Sequence, residues 1–202
     1  MSTVPPEPGP LSPPPDDLPA RALPLRVVGS RWYRVHGARR GAVFFGRTGG
    51  NRFDAPGGQF GVLYLAADPA CAFIETLGRT ASRRPMSLRE LSLHRMALVQ
   101  PPRPLRLVDL TGAGLARIGA DARLFAGEHA VARQWSLALF LHPAAPDGIL
   151  YPARHDPSLR AAAVFDRVKG RWRAKDLGRL DDAGNRALVG EVLDRYGFGL
   201  LG

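Results

Sequence analysis

The stretch Gly49-Gly50-Asn51-Arg52-Phe53-Asp54-Ala55-Pro56-Gly57-Gly58-Gln59-Phe60-Gly61-Val62-Leu63-Tyr64-Leu65-Ala66, continued by Ala72-Phe73-Ile74-Glu75-Thr76-Leu77, arranges an arginine, a tyrosine and a glutamate around a glycine-rich turn, a strand and a short helix. Val62 to Ala66 is apolar on both faces, which marks an interior strand. Asp68-Pro69 then reads as a helix start, with an acid at the cap and a proline in the first turn. On that helix Ala70, Phe73, Ile74 and Leu77 recur at i, i+3, i+4 and i+7 and form the apolar face. Glu75 points away from the centre of that face, which taken alone favours a solvated glutamate. An arginine and an acid bracketing an apolar strand nonetheless need partners, because an unpaired buried charge is costly.

Working outward, Trp32-Tyr33-Arg34-Val35-His36 reads as a strand with Trp32, Arg34 and His36 on one face and Tyr33 and Val35 on the other. Further strands are expected at Met96 to Val99, Leu105 to Leu110, Gly148 to Tyr151 and Ala161 to Phe165. A helix is expected from about Glu128 to Leu141, with Val131, Trp135, Ala138, Leu139 and His142 inward. The last helix is expected from near Asp182 to Gly197, burying Leu188, Val189, Val192 and Tyr196. Six or so strands with irregularly inserted helices predict a mixed α+β domain rather than a regular βαβ array. There is no internal repeat.

The 202 residues, 45% hydrophobic and 23% charged, suffice for one sizeable core. Residues 1–25 carry nine prolines and almost no apolar periodicity, so a proline-rich disordered tail is expected there and a single domain over 26–202. The tail has no basic start followed by an apolar stretch, and no run in the chain approaches the roughly 20 apolar residues of a membrane span. A soluble, cytoplasmic protein is expected. The lone Cys71 excludes an internal disulfide and a cysteine-rich metal site, and suits a reducing compartment.

The net charge of +10 raises a nucleic-acid or membrane-surface reading. However, only Lys169 and Lys175 are lysines, the arginines are scattered, and the pairs Arg39-Arg40 and Arg83-Arg84 lack interleaved aromatics. The glycine-rich turn is neither a Walker loop nor a dinucleotide fingerprint. Even so, glycine lets a ligand approach the backbone, and Arg52 offers a bidentate grip on phosphate. The five histidines show no metal spacing. Neither G-x-S-x-G nor a cysteine with an evident partner supports a covalent hydrolase. Arg154-His155-Asp156 falls in a loop after a strand, either reaching a cleft or pairing within the loop.

Taken together in order and spacing, these residues resemble the RES domain, a bacterial family known mostly as the toxin half of toxin-antitoxin pairs. The likeness runs from about Trp32 to Val168. It is strongest at Asn51-Arg52-Phe53-Asp54 with Pro56-Gly57-Gly58, then Gly61 to Ala66, then Ala72 to Glu75; Asp147 to Asp156 with Val164-Phe165-Asp166 looks like the family's second block. The resemblance implies an ADP-ribosyltransferase-like fold with a split sheet gripping NAD, and cleavage of the nicotinamide-ribose bond without a metal. It places the family's arginine on Arg52 and its glutamate on Glu75, with an earlier arginine on Arg34 and a tyrosine on Tyr64. Glu75 and Arg52 are then the catalytic residues, and Arg34, Arg52, Tyr64 and Arg154 bind NAD. The ADP-ribose acceptor is water, phosphate or a protein. The implied partner is a cognate Xre-type antitoxin in a hetero-oligomer, with nucleic acid met only indirectly through it. Two departures stand out: Ala153 replaces the family serine, and Asp54 an asparagine. Ser136 is an alternative source of a hydroxyl. A catalytically weakened RES-fold binding module, or an arginine-rich nucleic-acid binder, is the alternative reading.

Overall fold

A computed structural model of the chain describes residues 9, 11–78 and 85–202. Its centre is an eight-stranded mixed sheet built from β1 (Leu25–Val28), β2 (Trp32–Gly37), β3 (Val62–Ala66), β5 (His94–Gln100), β6 (Leu105–Asp109), β7 (Gly148–Pro152), β8 (Arg160–Phe165) and β9 (Arg173–Arg179). A two-stranded parallel pair, β4 (Met86–Ser87) with β10 (Leu200–Leu201), lies apart. The helices are α1 (Pro69–Leu77), α2 (Leu88–Ser92), α3 (Ala113–Arg117), α4 (Arg123–Ala126), α5 (His129–Leu141) and α6 (Arg186–Tyr196). This is the mixed α+β architecture expected from the sequence.

The strand order is β1-β6-β7-β8-β3-β2-β5-β9. β6 and β7 run parallel, and the long connection between them carries α3, α4 and α5, as a parallel crossover requires. β3 pairs with β8 along its whole length, Val62↔Phe165 to Ala66↔Ala161, but touches β2 only at Tyr33↔Ala66. The sheet is therefore split. Beyond that contact the gap is closed at its far end by Gly46, which exchanges two backbone hydrogen bonds of 2.9 Å with Val62.

Both faces of the sheet are covered. Val35, Val62, Ile149 and Phe165 pack with α1, α5 and α6, whereas Trp32, Leu65, Val99 and Leu107 pack under Val43, Phe45 and Trp172. The start of α1 is capped as its sequence predicts: Asp68 Oδ1 accepts from the Cys71 amide at 2.8 Å. Cys71 itself is fully buried, with Sγ 3.3 Å from the Arg160 carbonyl.

Three expectations need correction. Part of the proline-rich segment is not a free tail: Leu18 is buried, Trp135 Nε1 donates to the Ser12 carbonyl at 3.0 Å, and β1 starts at Leu25. His142 accepts the Ala144 amide at Nδ1, so its Nε2 donates to the carbonyls of Leu18 and Arg21, each 3.2 Å away. A buried indole and a buried imidazole need acceptors, and prolines that pre-set the backbone reduce the entropy lost in supplying them. Secondly, α5 buries Trp135 and Leu139 as expected, and His142 beyond its end is buried too, but Ala132 and Ser136 take the inward places expected of Val131 and Ala138, which are only partly buried, because small residues let the helix approach the core and Ser136 has its own hydrogen bond. In α6 the buried residues are Val189, Val192 and Leu193, with Leu188 and Tyr196 partly exposed. Arg83-Arg84 lies outside the described residues. β1, β9 and the short helices α2 to α4 were not anticipated; β9, Arg-Ala-Lys-Asp-Leu-Gly-Arg, is an exposed edge strand with no apolar alternation to betray it.

Asp147 joins β6 to the rest of the sheet. Its carboxylate accepts from both terminal nitrogens of Arg103, at 2.6 and 2.7 Å, and from the Arg106 amide at 2.8 Å. Burial pushes this carboxyl up, but the bonds from Arg103 and Arg106 outweigh it and hold it below the usual carboxylate range. A depressed folded-state value stabilises the fold above the unfolded-state pKa and loses that stabilisation as pH falls through the folded-state value. Acid unfolding of wild type should therefore draw on Asp147 below about pH 4, and an Asp147→Asn variant should show a flatter stability profile there by urea titration. Gly148 approaches β8 so closely that a Cβ would lie 2.2 Å from the Ala163 carbonyl oxygen. Gly148→Ala should destabilise the fold by about 3 kcal/mol or more in denaturant unfolding; a loss under about 1 kcal/mol would contradict this packing.

Candidate functional site

Where β2 and β3 part, a hollow of about 470 Å³ opens, within the range of small-molecule sites. Arg34, Arg52, Tyr64, Glu75 and Arg154 all line it. The split explains how residues from both faces of β2, Tyr33 and Val35 as well as Arg34 and His36, border one space.

Each of the two central arginines is anchored by one nitrogen. Arg34 Nη1 donates to the carbonyls of Ala42 (2.8 Å) and Phe44 (3.3 Å), and Arg52 Nη1 to those of Gly127 (2.7 Å) and Leu124 (3.4 Å). Neutral carbonyls orient the guanidinium without cancelling its charge, and among the described residues Nε and Nη2 of each keep their donors for a ligand. Burial, then the nearby Arg40, lowers the Arg34 pKa to about 10. Arg52 is also lowered, by burial and then by Arg154, with Tyr151, Tyr64 and Glu75 opposing. Desolvation leads both shifts, and neighbouring positive charge adds to it. Among the described residues four arginines line the hollow, Arg34, Arg40, Arg52 and Arg154, against the one carboxylate of Glu75.

The loop that carries Arg52 is fixed on both sides. Tyr64 Oη accepts the Phe53 amide at 2.9 Å and donates to Asp54 Oδ1 at 3.0 Å; Asp54, fully buried, uses Oδ2 to accept from the Asn51 amide at 2.9 Å and from its side-chain nitrogen at 3.3 Å. Ser136 Oγ donates to the Phe53 carbonyl at 2.7 Å, and Arg133 Nε to that of Asn51 at 3.1 Å. Ser136 is thus spent on backbone and brings no hydroxyl to the hollow. The Tyr64 hydroxyl is a structural tie too; burial and then Asp54 push its pKa well up, leaving the ring to face the space.

Glu75 Oε1 accepts from the amides of Arg154 (2.8 Å) and His155 (3.3 Å). Glu75 is partly buried and is one of the residues that line the hollow. Ala153 is buried between Pro152 and Arg154, which both line the space. Arg40, Thr76 and His129 also line the hollow, and no motif or spacing had pointed to them. His129, first residue of α5, has its pKa lowered by burial and then by Arg52 and Arg133, so it adds little charge at neutral pH. Among the described residues no cluster of His, Cys, Asp and Glu is arranged to hold a metal, and no helix is long and apolar enough to cross a membrane.

The family model of the RES domain matches residues 23–182, a span that contains every one of these lining residues. The chain belongs to the RES domain family. It is 37% identical over 114 residues to a probable toxin, y4kH, of Sinorhizobium fredii, a match covering 55% of this chain and 87% of that relative. It also shares its fold with a chain of the M. tuberculosis MbcT-MbcA toxin-antitoxin complex, at a TM-score of 0.59 and 21% identity, covering 83% of this chain and 91% of that one. In this RES domain the elements that build the hollow, β2, β3, α1, the loop from Gly49 to Gly61 and the loop after β7, all lie inside the matched region.

The Tyr64 tie can be tested directly. Tyr64→Phe leaves the Phe53 amide and one oxygen of a buried carboxylate without their partner, and should cost about 1–3 kcal/mol of stability in denaturant unfolding. A loss within experimental error would show that the hydroxyl does not hold the Arg52 loop.

Proposed function

We propose that this RES domain is a toxin that consumes NAD by cleaving the bond between nicotinamide and ribose. The observation that carries this reading is the convergence, among the described residues, of four guanidinium groups and a single carboxylate on one hollow of about 470 Å³. A dinucleotide presents two phosphates to arginines and a ribose to an acid. Nicotinamide leaves as a neutral molecule from a cationic ring, so the chain's own work is to hold the dinucleotide bent and to stabilise the oxocarbenium that forms on the ribose. Glu75 supplies negative charge, and a hydrogen bond to a ribose hydroxyl, where positive charge develops in the transition state. Arg34 and Arg52 clamp the pyrophosphate through the nitrogens not used on carbonyls, with Arg154 at the same end. The Tyr64 ring borders the nicotinamide or the ribose. The acceptor of ADP-ribose is water, inorganic phosphate or a protein side chain.

As a toxin it pairs with a cognate antitoxin of the Xre type, which covers the hollow in a hetero-oligomer and gives the complex its contact with DNA; the likeness to a chain of a toxin-antitoxin complex supports this. A cytoplasmic location follows from NAD as substrate. The buried Ala153 and the engaged Ser136 hydroxyl support a second reading, a weakened member that binds NAD without turning it over.

Purified protein incubated with NAD should release nicotinamide, and Glu75→Ala and Arg52→Ala should each lower the rate by about 10²-fold or more while the melting temperature stays close to wild type. Glu75→Gln, which keeps an acceptor for the two amides but not the charge, should be as inactive as Glu75→Ala. Equal activity in wild type and Glu75→Ala refutes the assignment; NAD binding by calorimetry with no nicotinamide release selects the second reading.

A further inference from the structure

Glu75 is held from two directions. Its own helix, α1, packs against α6, whose Val189, Val192 and Leu193 are buried in the same core as Phe73 and Leu77. Its carboxylate is bonded to the loop between β7 and β8, and that loop is a closed unit. Ala153 donates to the Leu159 carbonyl at 3.0 Å, Leu159 to the Asp156 carbonyl at 2.9 Å, and the Asp156 side chain accepts from the Ser158 amide (3.1 Å) and hydroxyl (2.5 Å). Besides the Glu75 carboxylate, a side chain of α6 ties this loop: Tyr196 Oη donates to Asp156 Oδ2 at 2.8 Å.

Tyr196 is the last residue of α6, and the position of its ring is set by how that helix ends. Gly197 adopts φ of 65°, a left-handed conformation that suits glycine, and Phe198 donates back to the Leu193 carbonyl at 2.9 Å. The chain then joins β10 to β4, with the Met86 amide 2.8 Å from the Gly199 carbonyl. Burial, followed by the bond to Asp156, raises the Tyr196 pKa to about 12, so the hydroxyl keeps its proton and donates throughout the physiological range. On the other side of the loop, the His155 ring lies beside the end of α1, 3.5 Å from where a Cβ on Gly78 would stand. The closed path runs from Glu75 to the amides of Arg154 and His155, to Asp156, to Tyr196, along α6 and back to α1.

We infer that Tyr196, through its bond to Asp156, is a positioning residue for Glu75, an inference that rests on the reading of the hollow as an NAD site. α6 lies beyond residue 182, so the donor of this brace falls outside the segment that matches the RES domain while its acceptor, Asp156, lies inside. The bond involves neither Arg34 nor Arg52, whose anchors lie on the carbonyls of Ala42, Phe44, Leu124 and Gly127. Its loss therefore acts first on the carboxylate, with Arg154 the one pyrophosphate contact on the same loop, so kcat falls by more than KM rises.

Tyr196→Phe keeps the ring and removes only the hydroxyl; Asp156→Ala breaks the same bond from the other side. Hydrogen exchange followed by mass spectrometry over residues 152–158 reads the amides that hold Glu75, with Glu75→Ala as the reference for their full release. Both variants are expected to speed exchange of the Arg154 and His155 amides about tenfold and to lower kcat for nicotinamide release about tenfold with KM for NAD changed less than about twofold. Exchange as slow as wild type in Tyr196→Phe overturns the proposal, as does a rise in KM with kcat unchanged. If wild type itself releases no nicotinamide, the reading as an NAD-consuming enzyme has failed, and the exchange of the two amides alone decides whether Tyr196 holds the loop.

Discussion

The separation of β2 from β3 is the constraint on which the rest depends. A sheet continuous from β8 through β3 to β5 would leave no room for a ligand between its strands, and Arg34 and Tyr64 would belong to opposite surfaces. Because only Tyr33 and Ala66 pair, the two halves stay attached as one body while the strands diverge around a slot. Diverging strands expose backbone groups that a ladder would have satisfied, and the chain closes one end of the slot with the bridge from Gly46 to Val62. The loop preceding that bridge also supplies the carbonyls of Ala42 and Phe44 that hold Arg34. Closure of the slot and aim of the arginine are one piece of structure.

The charge of the hollow follows from the kind of partner each arginine has. Elsewhere in the molecule arginines meet carboxylates, as Arg103 meets Asp147 and Arg95 meets Asp176. Arg34 and Arg52 instead donate to carbonyl oxygens, which fix direction but leave the positive charge in place. Partly buried cations whose hydrogen-bond partners are neutral carbonyls keep their positive charge over the hollow, which favours an anionic ligand there. Burial is the leading cause of the lowered values for Arg34, Arg52 and His129, and neighbouring arginines add to it in each case.

Much of the fold was legible in the sequence where apolar pattern and cap chemistry agreed: β3 from its two-sided apolar run, α1 from Asp68-Pro69, the end of α6 from Gly197. The pattern misled where small or polar residues face inward, as Ala132 and Ser136 do on α5, and where prolines masked a segment that meets buried donors on Trp135 and His142. β9 carries no periodic signal, since an exposed edge strand has no core face. For the site, local reasoning about Glu75 gave solvent, and only the ordered likeness to a family set it beside Arg52; helical spacing records distance from an apolar stripe and is silent about what occupies the other side. The tie from Tyr64 to Asp54 and the bond from Tyr196 to Asp156 join residues far apart in sequence or hidden in type, and no spacing rule reaches them.

Cys71 sits one turn before Glu75 on α1, sealed from water and facing the Arg160 carbonyl, with burial and then Asp68 holding its thiol in the protonated form. A thiol in that state is a poor nucleophile and a poor reductant. The helix that carries the glutamate therefore passes through oxidative conditions unmodified as long as it remains docked, and alkylation of this sulfur by a reagent such as iodoacetamide registers undocking of α1 without any label being introduced.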